Sequence, residues 1–151
     1  MEDAFQRALR FLGYRSRSEA ELSGHLTRRG YSSAVVAQTV EKLRSLNYLN
    51  DETFARDWAR SRARSRGYGP NKIAMELRAK GIAPTLLRQA MSQLSTEMDE
   101  AANARSVLAK KFKGQNLKEA KTQARAAAFL RRRGYRGDVI YDLLHDSTEE
   151  D

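Results

Sequence analysis

The chain has 151 residues, with 28 Lys and Arg against 19 Asp and Glu and a formal net charge of +9. It contains no cysteine, which excludes disulfides and thiolate metal sites, and no run of roughly 20 apolar residues that could cross a bilayer. We therefore expect a folded, soluble, cytoplasmic protein whose positive field favours polyanions or an acidic protein surface.

The N-terminal part of the chain is predicted to form one helix followed by a second, capped helix. An amphipathic segment over residues 3–12 is expected to end at Gly13. Ser16 and Ser18 each precede a glutamate by three residues, which makes two overlapping capping boxes for the next helix.

One short pattern then occurs three times, as HLTRRGYSSAVV, ELRAKGIAPTLL and FLRRRGYRGDVI. Each copy has a leucine, a glycine four residues later, a tyrosine or isoleucine next to it, and a pair of apolar residues beyond. The glycines are Gly30, Gly81 and Gly134, at intervals of about 50 residues. A repeat of this length is typical of tandem helical units.

The spacing inside each copy predicts how one helix ends and the next begins. A glycine after a helix can take the left-handed conformation of a Schellman ending, in which the following residue packs on the leucine. The expected pairs are Leu26 with Tyr31, Leu77 with Ile82, and Leu130 with Tyr135. The next helices are expected to start at Ser32 or Ser33, at Pro84 and at Asp138.

Another amphipathic segment precedes the second and third copies. The second unit is expected to begin at Asn50, with Phe54 and Trp58 on one apolar stripe of its first helix. Its second helix is expected to start at Gly69-Pro70. The first helix of the third unit covers about residues 97–112 and is followed by a longer connection. Strand signals are absent, since there is no alternating stretch and no hairpin turn.

These elements predict an all-α fold of three tandem three-helix, helix-turn-helix-like repeats. A single unit buries little by itself, so the units should stack into an elongated, curved array. The expected boundaries are 1–48, 49–96 and 97–146, followed by a disordered acidic tail over 147–151.

The sequence offers little catalytic chemistry. His25 and His145 have no second histidine or cysteine at ligand spacing, so no metal site is expected. The glycines of residues 67–72 resemble a phosphate loop, but no strand precedes them and Pro70 supplies no N–H. We expect neither enzymatic activity nor a cofactor.

The informative side chains are basic. The segment RDWARSRARSRGYGPNK supplies candidate partner- or DNA-binding residues, namely Arg56, Arg60, Arg62, Arg64, Arg66, Tyr68 and Lys72. Equivalent helix ends in the three copies supply Arg28, Arg29, Arg78, Lys80, Arg131 and Arg132. Compensation of the helix dipole explains part of this pattern but not three consecutive arginines, so a basic track along one face is expected. Trp58 is expected in the core, and Tyr68 is expected to be exposed.

The segment LNDETFARDWARSRARSRGYGPNKIAMELRAKGI, residues 49–82, resembles the family of the bacterial regulatory protein RecX. The shared features are an Asn-Asp helix start, Phe-Ala, an aromatic residue, spaced arginines, a glycine, and a leucine before Lys-Gly-Ile. RSRSEAELSGHLTRRGY and the region from FLRRRGY onward resemble the preceding and final blocks of the family, whereas residues 98–122 match loosely.

The resemblance implies a protein that binds the RecA filament and restrains its ATPase, strand-exchange and coprotease-promoting activities by lodging in the filament groove. It also implies an elongated fold of three-helix repeats and no catalysis. The alternative is a module that binds single- or double-stranded DNA directly. Such binding would not be sequence-specific, because the helix starts after the three glycines differ from one another. A helical scaffold for an unrelated partner is a third hypothesis. A monomer is expected because no apolar stripe is left over.

Overall fold

The segments that the sequence predicts as helices are helical, and no strand forms within residues 2–149. The computed structural model describes the backbone of those residues and the side chains of residues 2–145. The helices are α1 Ala4–Tyr14, α2 Glu19–Arg28, α3 Ser33–Ser45, α4 Asp51–Ser65, α5 Pro70–Ala79, α6 Pro84–Glu97, α7 Glu100–Lys111, α8 Ala120–Arg132 and α9 Gly137–Glu149. The boundary predicted for the disordered acidic tail is wrong, because α9 continues through residues 147–149. Residues 150–151 lie outside the described residues, so their disorder stays a prediction.

The three repeated glycines end α2, α5 and α8 as predicted. All three have a positive φ, between 78° and 97°. In each copy the amide after the glycine donates to the leucine carbonyl at 3.1–3.2 Å, in the pairs Tyr31–Leu26, Ile82–Leu77 and Tyr135–Leu130. This bond defines the Schellman ending. The next helix therefore starts within three residues of each glycine.

Two local predictions near the N-terminus are wrong. Gly13 does not take the left-handed conformation, and α1 passes through it to Tyr14. Of the two overlapping capping boxes only one forms, because a helix has a single N-cap. Ser18 is that residue: its Oγ accepts from the Glu21 amide, and the Glu21 carboxylate accepts from the Ser18 amide. Ser16 lies before the helix.

The third unit differs from the first two at its start. Its first helix begins at Glu100 rather than near Glu97, because Glu97 still belongs to α6 and the Asp99 side chain caps α7. The connection from α7 to α8 is long, as predicted, and contains the left-handed Gly114. Ala126 is fully buried at the position where the other units have a leucine and an isoleucine.

Each group of three helices buries an apolar cluster of its own. Unit 1 (α1–α3) buries Ala8, Leu22, Leu26, Val36, Val40, Leu43 and Leu49. Unit 2 (α4–α6) is centred on Phe54, Ala59, Ile73, Leu77 and Leu94, and unit 3 (α7–α9) on Leu108, Ala126, Leu130, Tyr135 and Leu144. The accessible surface is 9344 Å², whereas a compact chain of this mass would expose roughly 7,800 Å². The predicted elongated array of three units is confirmed.

Neighbouring units meet through one contact that occurs twice. The glycine turn of a unit docks on the first turn of the second helix of the preceding unit. At the first joint the Lys80 carbonyl accepts from the Ser18 hydroxyl at 2.7 Å, and at the second the Arg133 carbonyl accepts from the Gly69 amide at 2.7 Å. Because both acceptors immediately precede the repeated glycine, the helical repeat also fixes how the units stack.

Candidate functional site

The candidate arginines of α4 differ in how far their charge is neutralised within unit 2. Arg60 forms a bidentate ion pair with Glu97 that ties α4 to α6. The hydrogen bonds from Arg60 lower the pKa of Glu97, with a smaller contribution from the charge of Arg64. Arg56 is half-buried and approaches Asp57 only to 3.9 Å. Arg60 is therefore part of the fold of unit 2.

Arg62 is also held within unit 2. Its guanidinium lies 4.3 Å from the centre of the Trp58 ring, and its Nε is 3.5 Å from Glu76. Glu76 also accepts a 3.2 Å hydrogen bond from the Trp58 indole. Trp58 stacks on Phe54 and packs against the core of unit 2, as predicted. This arrangement favours a structural role for Arg62, and its contact with a partner stays a prediction.

Arg64 lies in the last turn of α4, and Arg66 is its C-cap residue. Both are exposed, and neither has a carboxylate within 4.0 Å among the described residues. Ala63, between them and Arg62, is buried and faces the core. Because both side chains are exposed, these two charges remain accessible to a partner.

Tyr68 is half-buried, which corrects the expectation that it would be exposed. It packs against the core of unit 2 because the turn between α4 and α5 lies against unit 3. Three cations surround its ring: Lys72 at 4.2 Å, and Arg62 and Arg133 at 5.9 Å from the centroid. Such contacts stabilise a cation beside an aromatic face. Tyr68 thus contacts Lys72 closely, lies near two arginines, and is only partly accessible to a partner.

These contacts continue into a line of alternating cations and rings, here called the cation–aromatic strip. Its members are, in order, Lys80, Trp58, Arg62, Tyr68, Arg133, Phe129 and Lys111. The strip begins at the joint with unit 1, crosses unit 2 and ends on α7 of unit 3. It connects residues that the sequence places in two different repeats.

The joint between units 1 and 2 carries an excess of positive charge around one carboxylate. Glu21 contacts Arg15 at 2.8 Å, Lys80 at 3.1 Å and Arg17 at 3.9 Å. Burial alone would raise the pKa of Glu21, but its hydrogen bonds with the Ser18 amide, Lys80 and Arg15 lower it. Lys80, a candidate contact residue, is therefore half-buried and shares the Glu21 carboxylate with two arginines.

A second concentration of cations lies between units 2 and 3. A cleft of about 540 Å³, here called the basic cleft, is lined by five basic side chains: Arg64, Arg66, Lys110, Lys111 and Arg133. Its lining contains no aspartate or glutamate. Lys110 and Lys111 are absent from the candidates found by sequence. They occupy the end of α7, which corresponds to the arginine-rich end of α4, so an alignment of the first helices of the units would have indicated them.

The remaining candidates stand at the repeated helix ends. Arg28, Arg29, Arg78, Arg131 and Arg132 are exposed at the ends of α2, α5 and α8. None has a carboxylate within 4.0 Å among the described residues. They thus occupy equivalent places in the three units, and their alignment along one face stays a prediction.

No group of metal-ligating side chains assembles among the described residues, and no helix there is long and apolar enough to cross a membrane. His25 stacks on Phe11 with the ring centres 4.0 Å apart, and Arg17 lies 4.1 Å from the Phe11 ring centre. Burial lowers the pKa of His25, and the charges of neighbouring arginines lower it further. His25 is therefore a packing residue of unit 1.

Family models match each of the three units. The model of the first three-helix domain of RecX matches residues 4–43, that of the second matches residues 50–91, and that of the third matches residues 98–144. Two solved structures share the fold over 95% of this chain. A crystal structure of regulatory protein RecX has a TM-score of 0.80 and 25% identity, with 70% of its chain covered. RecX from Lactobacillus salivarius has a TM-score of 0.79 and 21% identity, with 93% of its chain covered.

Curated relatives extend the similarity along the chain. Regulatory protein RecX of Bacillus subtilis is 36% identical over 156 residues, which cover 100% of this chain and 58% of the relative. Regulatory protein RecX of Mycolicibacterium smegmatis is 33% identical, with 95% and 78% covered. The chain thus spans little more than half of the Bacillus relative and more than three quarters of the mycobacterial one. The chain belongs to the RecX family of regulatory proteins.

Proposed function

We propose that this protein regulates the RecA recombinase in the cytoplasm by binding the RecA–DNA filament. As a monomer lodged in the filament groove, it inhibits the ATPase, strand exchange and the promotion of coprotease activity. Membership of the RecX family and the elongated array support this proposal. The observation that carries it is the set of exposed arginines at the end of α4 and at the ends of α2, α5 and α8, which occur in all three units and have no carboxylate within 4.0 Å among the described residues.

The proposed mechanism is binding alone. A filament repeats the same acidic and phosphate-bearing surfaces along its axis, and three linked units can contact several repeats at once. Once one unit is bound, the others bind at a high effective concentration, so weak contacts add to a strong one. A rod held in the groove in this way obstructs the entry of a second DNA strand and restrains the subunit movements that accompany ATP hydrolysis.

The accessible cations are the proposed contacts. Arg64 and Arg66 come first, because they are exposed and have no carboxylate partner among the described residues. The repeated helix ends form a second group, comprising Arg28, Arg29, Arg78, Arg131 and Arg132. Arg60 and Arg62 act indirectly, by fixing α4 against the rest of unit 2.

The alternative is a module that binds DNA directly, without the recombinase. The basic cleft favours it, because a cleft lined by five cations and no carboxylate suits phosphates. Titrating the purified protein with bare DNA and with recombinase-coated DNA separates the two functions. We expect tighter binding to coated DNA, and equal affinity for both would favour the alternative.

The ATPase of recombinase filaments on single-stranded DNA tests the proposal. We expect the protein to inhibit it, and the double substitution Arg64→Glu/Arg66→Glu to raise the inhibitory concentration at least tenfold, about 1.4 kcal/mol of binding. A matched control is Arg88→Glu/Arg105→Glu, which makes the same charge change at two exposed arginines outside the basic cleft. A wild-type protein that leaves the ATPase unchanged, or two variants with equal effects, would contradict the proposal.

A further inference from the structure

We infer that the glycine turn of unit 1, residues 29–35, is a docking surface for the N-terminal turn of a helix in a RecA subunit. The inference deepens the proposed function, on which it rests for the identity of the partner. The turns of units 2 and 3 already dock on helix starts, those of α2 and α5. The turn of unit 1 has the same Schellman ending, but a Cβ on Gly30 would meet none of the described residues within 4 Å.

The two occupied turns receive hydrogen bonds from the beginning of a helix. The Lys80 carbonyl accepts from the hydroxyl of Ser18, the N-cap of α2, at 2.7 Å. The Gly134 carbonyl accepts from the amide of Asn71, in the first turn of α5, at 2.8 Å. A helix start suits this role because its first four N–H groups have no intrahelical partner. The end of one helix and the start of another also carry opposite partial charges, which attract each other.

The same acceptors are open in unit 1. The Arg29 and Gly30 carbonyls accept no hydrogen bond from any of the described residues. Water can satisfy such carbonyls in the free protein, and the donors of a helix start can replace that water. The backbone of this turn therefore fits the same kind of partner that the other two turns bind.

The apolar side chains of the turn are less covered in unit 1 than in the other units. Ile82 and Tyr135, which follow the other two glycines, are only 5% and 2% exposed, whereas Tyr31 is half-buried. Val35, five residues after the glycine, is 38% exposed, and its two counterparts are half-buried. The Tyr31 hydroxyl donates to the Glu2 carbonyl within unit 1, so a partner need not accept from it. A helix docked here would remove the remaining apolar surface of both side chains from water, which favours binding.

The residue before each glycine is a cation, and in both joints it bonds to the preceding unit. Lys80 lies 3.1 Å from Glu21 in the first turn of α2, and Arg133 donates to the Arg66 carbonyl. Arg29 is exposed and has no carboxylate within 4.0 Å among the described residues. An aspartate or glutamate in the first turn of the partner helix would pair with Arg29, and the helix dipole favours an acid at that position. The partner is therefore an acidic helix start.

A second copy of this chain lacks that feature. By the same stacking, a further turn would dock on α8, the second helix of unit 3. The first turn of α8 contains no acidic residue and carries the exposed Lys121, whereas that of α2 contains Glu19 and Glu21. Lys121 would bring another cation to Arg28 and Arg29, and like charges repel. Charge therefore favours a helix of a different protein over end-to-end stacking of two copies.

Photo-crosslinking of the full chain to RecA filaments tests the inference. The substitution Val35→benzoylphenylalanine places a photoreactive group in the turn, and mass spectrometry identifies the RecA residues that react with it. We expect these residues to lie within the first turn of one helix that carries aspartate or glutamate there. Cross-links to RecA residues away from any helix start, or to a second copy of the chain, would overturn the inference.

Charge exchange makes the test independent of the cross-linker. Arg29→Glu should weaken filament binding at least tenfold, about 1.4 kcal/mol, because two carboxylates would then meet. The matched control Arg88→Glu makes the same change at an exposed arginine of α6, outside the turn, and should weaken binding less than about threefold. Replacing the identified RecA carboxylate with lysine should restore the binding of Arg29→Glu. Equal effects of the two variants, or no restoration, would overturn the inference.

The wild-type protein separates this inference from the proposed function. If it binds filaments and inhibits the ATPase, but Val35 gives no cross-link and Arg29→Glu binds normally, only the inference fails. Cross-linking of the turn to a RecA helix start by a protein that does not inhibit the ATPase contradicts only the proposed function. A wild type that does not bind filaments contradicts both. Circular dichroism and urea unfolding verify that each variant is folded.

Discussion

Gly81 in the turn of unit 2 lies directly against Ala20 in α2 of unit 1. A Cβ on Gly81 would come within 2.4 Å of the Ala20 Cβ. The second joint has the same geometry, because a Cβ on Gly134 would come within 2.4 Å of the Lys72 Cβ. Each glycine thus does two things: it ends a helix with a positive φ, and it lets the next unit approach the preceding one closely.

Replacing these glycines with alanine should disturb the stacking of the units. Gly81→Ala and Gly134→Ala each add the cost of a left-handed alanine, about 1–2 kcal/mol, and a further cost of about 1–3 kcal/mol for overpacking the joint. Small-angle scattering should show a changed distance distribution, and urea unfolding should show the loss of stability.

Gly30 provides the matched control for this prediction. It has a φ of 95°, close to that of Gly134, but a Cβ there would meet nothing within 4 Å. Gly30→Ala should therefore lose only the stability that a left-handed alanine costs, about 1–2 kcal/mol. Its small-angle scattering should be unchanged. If all three variants lose the same stability and keep the same shape, the glycines serve the turns alone.

Arg62 and its exposed neighbours should respond differently to charge reversal. Arg62→Glu places a second carboxylate beside Glu76 and removes the cation from the Trp58 ring, so unit 2 should lose about 1–3 kcal/mol of stability. Arg64→Glu and Arg66→Glu should each change stability by less than about 0.5 kcal/mol, as is usual for exposed positions. Urea unfolding followed by the fluorescence of Trp58 measures both effects. Equal stability of the three variants would show that the ion pair and the ring contact contribute little.

The periodic features of the fold could be read from the sequence. The glycine after a leucine, the flanking apolar residues and the capping residues are local signals, and the three Schellman turns follow from them. Where two residues could each cap the same helix, the sequence did not show which one does. Ser16 and Ser18 offered two helix starts two residues apart, and in the structure Ser18 caps α2 while its hydroxyl donates to the Lys80 carbonyl. That contact comes from a different repeat.

The sequence indicated which basic residues belong to the candidate site, but not which of them form ion pairs. The sequence indicated a group of arginines around Trp58 and Tyr68, and the structure brings several of them together in the cation–aromatic strip. Which arginine is neutralised depends on carboxylates contributed by other helices, as in the Arg60–Glu97 pair. Lys110 and Lys111 join Arg64 only because the units dock as they do. Such long-range relationships have no local signature.

Tyr135 gives the second joint a characteristic dependence on pH. Its hydroxyl donates a 2.8 Å hydrogen bond to the carbonyl of Gly67, and burial raises its pKa to about 12 from an ordinary value near 10. Because the folded state holds this proton more tightly than the unfolded state, the stability contributed by Tyr135 is present below about pH 10. It is lost as the pH rises from about 10 to about 12.

Tyr135→Phe removes both the hydrogen bond and the titration. At neutral pH the variant should be less stable by about 1 kcal/mol. Chemical unfolding of both proteins between pH 8 and about 12 should show that this difference shrinks, because only the wild type loses stability through Tyr135. A constant difference across this range would mean that the Tyr135 pKa is the same in the folded and unfolded states.

Electron cryo-microscopy of RecA filaments on single-stranded DNA, with the protein bound, tests the central claim most directly. The account predicts an elongated density of three successive units along the filament groove, with the exposed end of α4 and the basic cleft facing the filament. It also predicts that this density is lost with Arg64→Glu/Arg66→Glu and kept with Arg88→Glu/Arg105→Glu. Filaments without bound density, or units that contact the filament through the surface opposite the basic cleft, would contradict it.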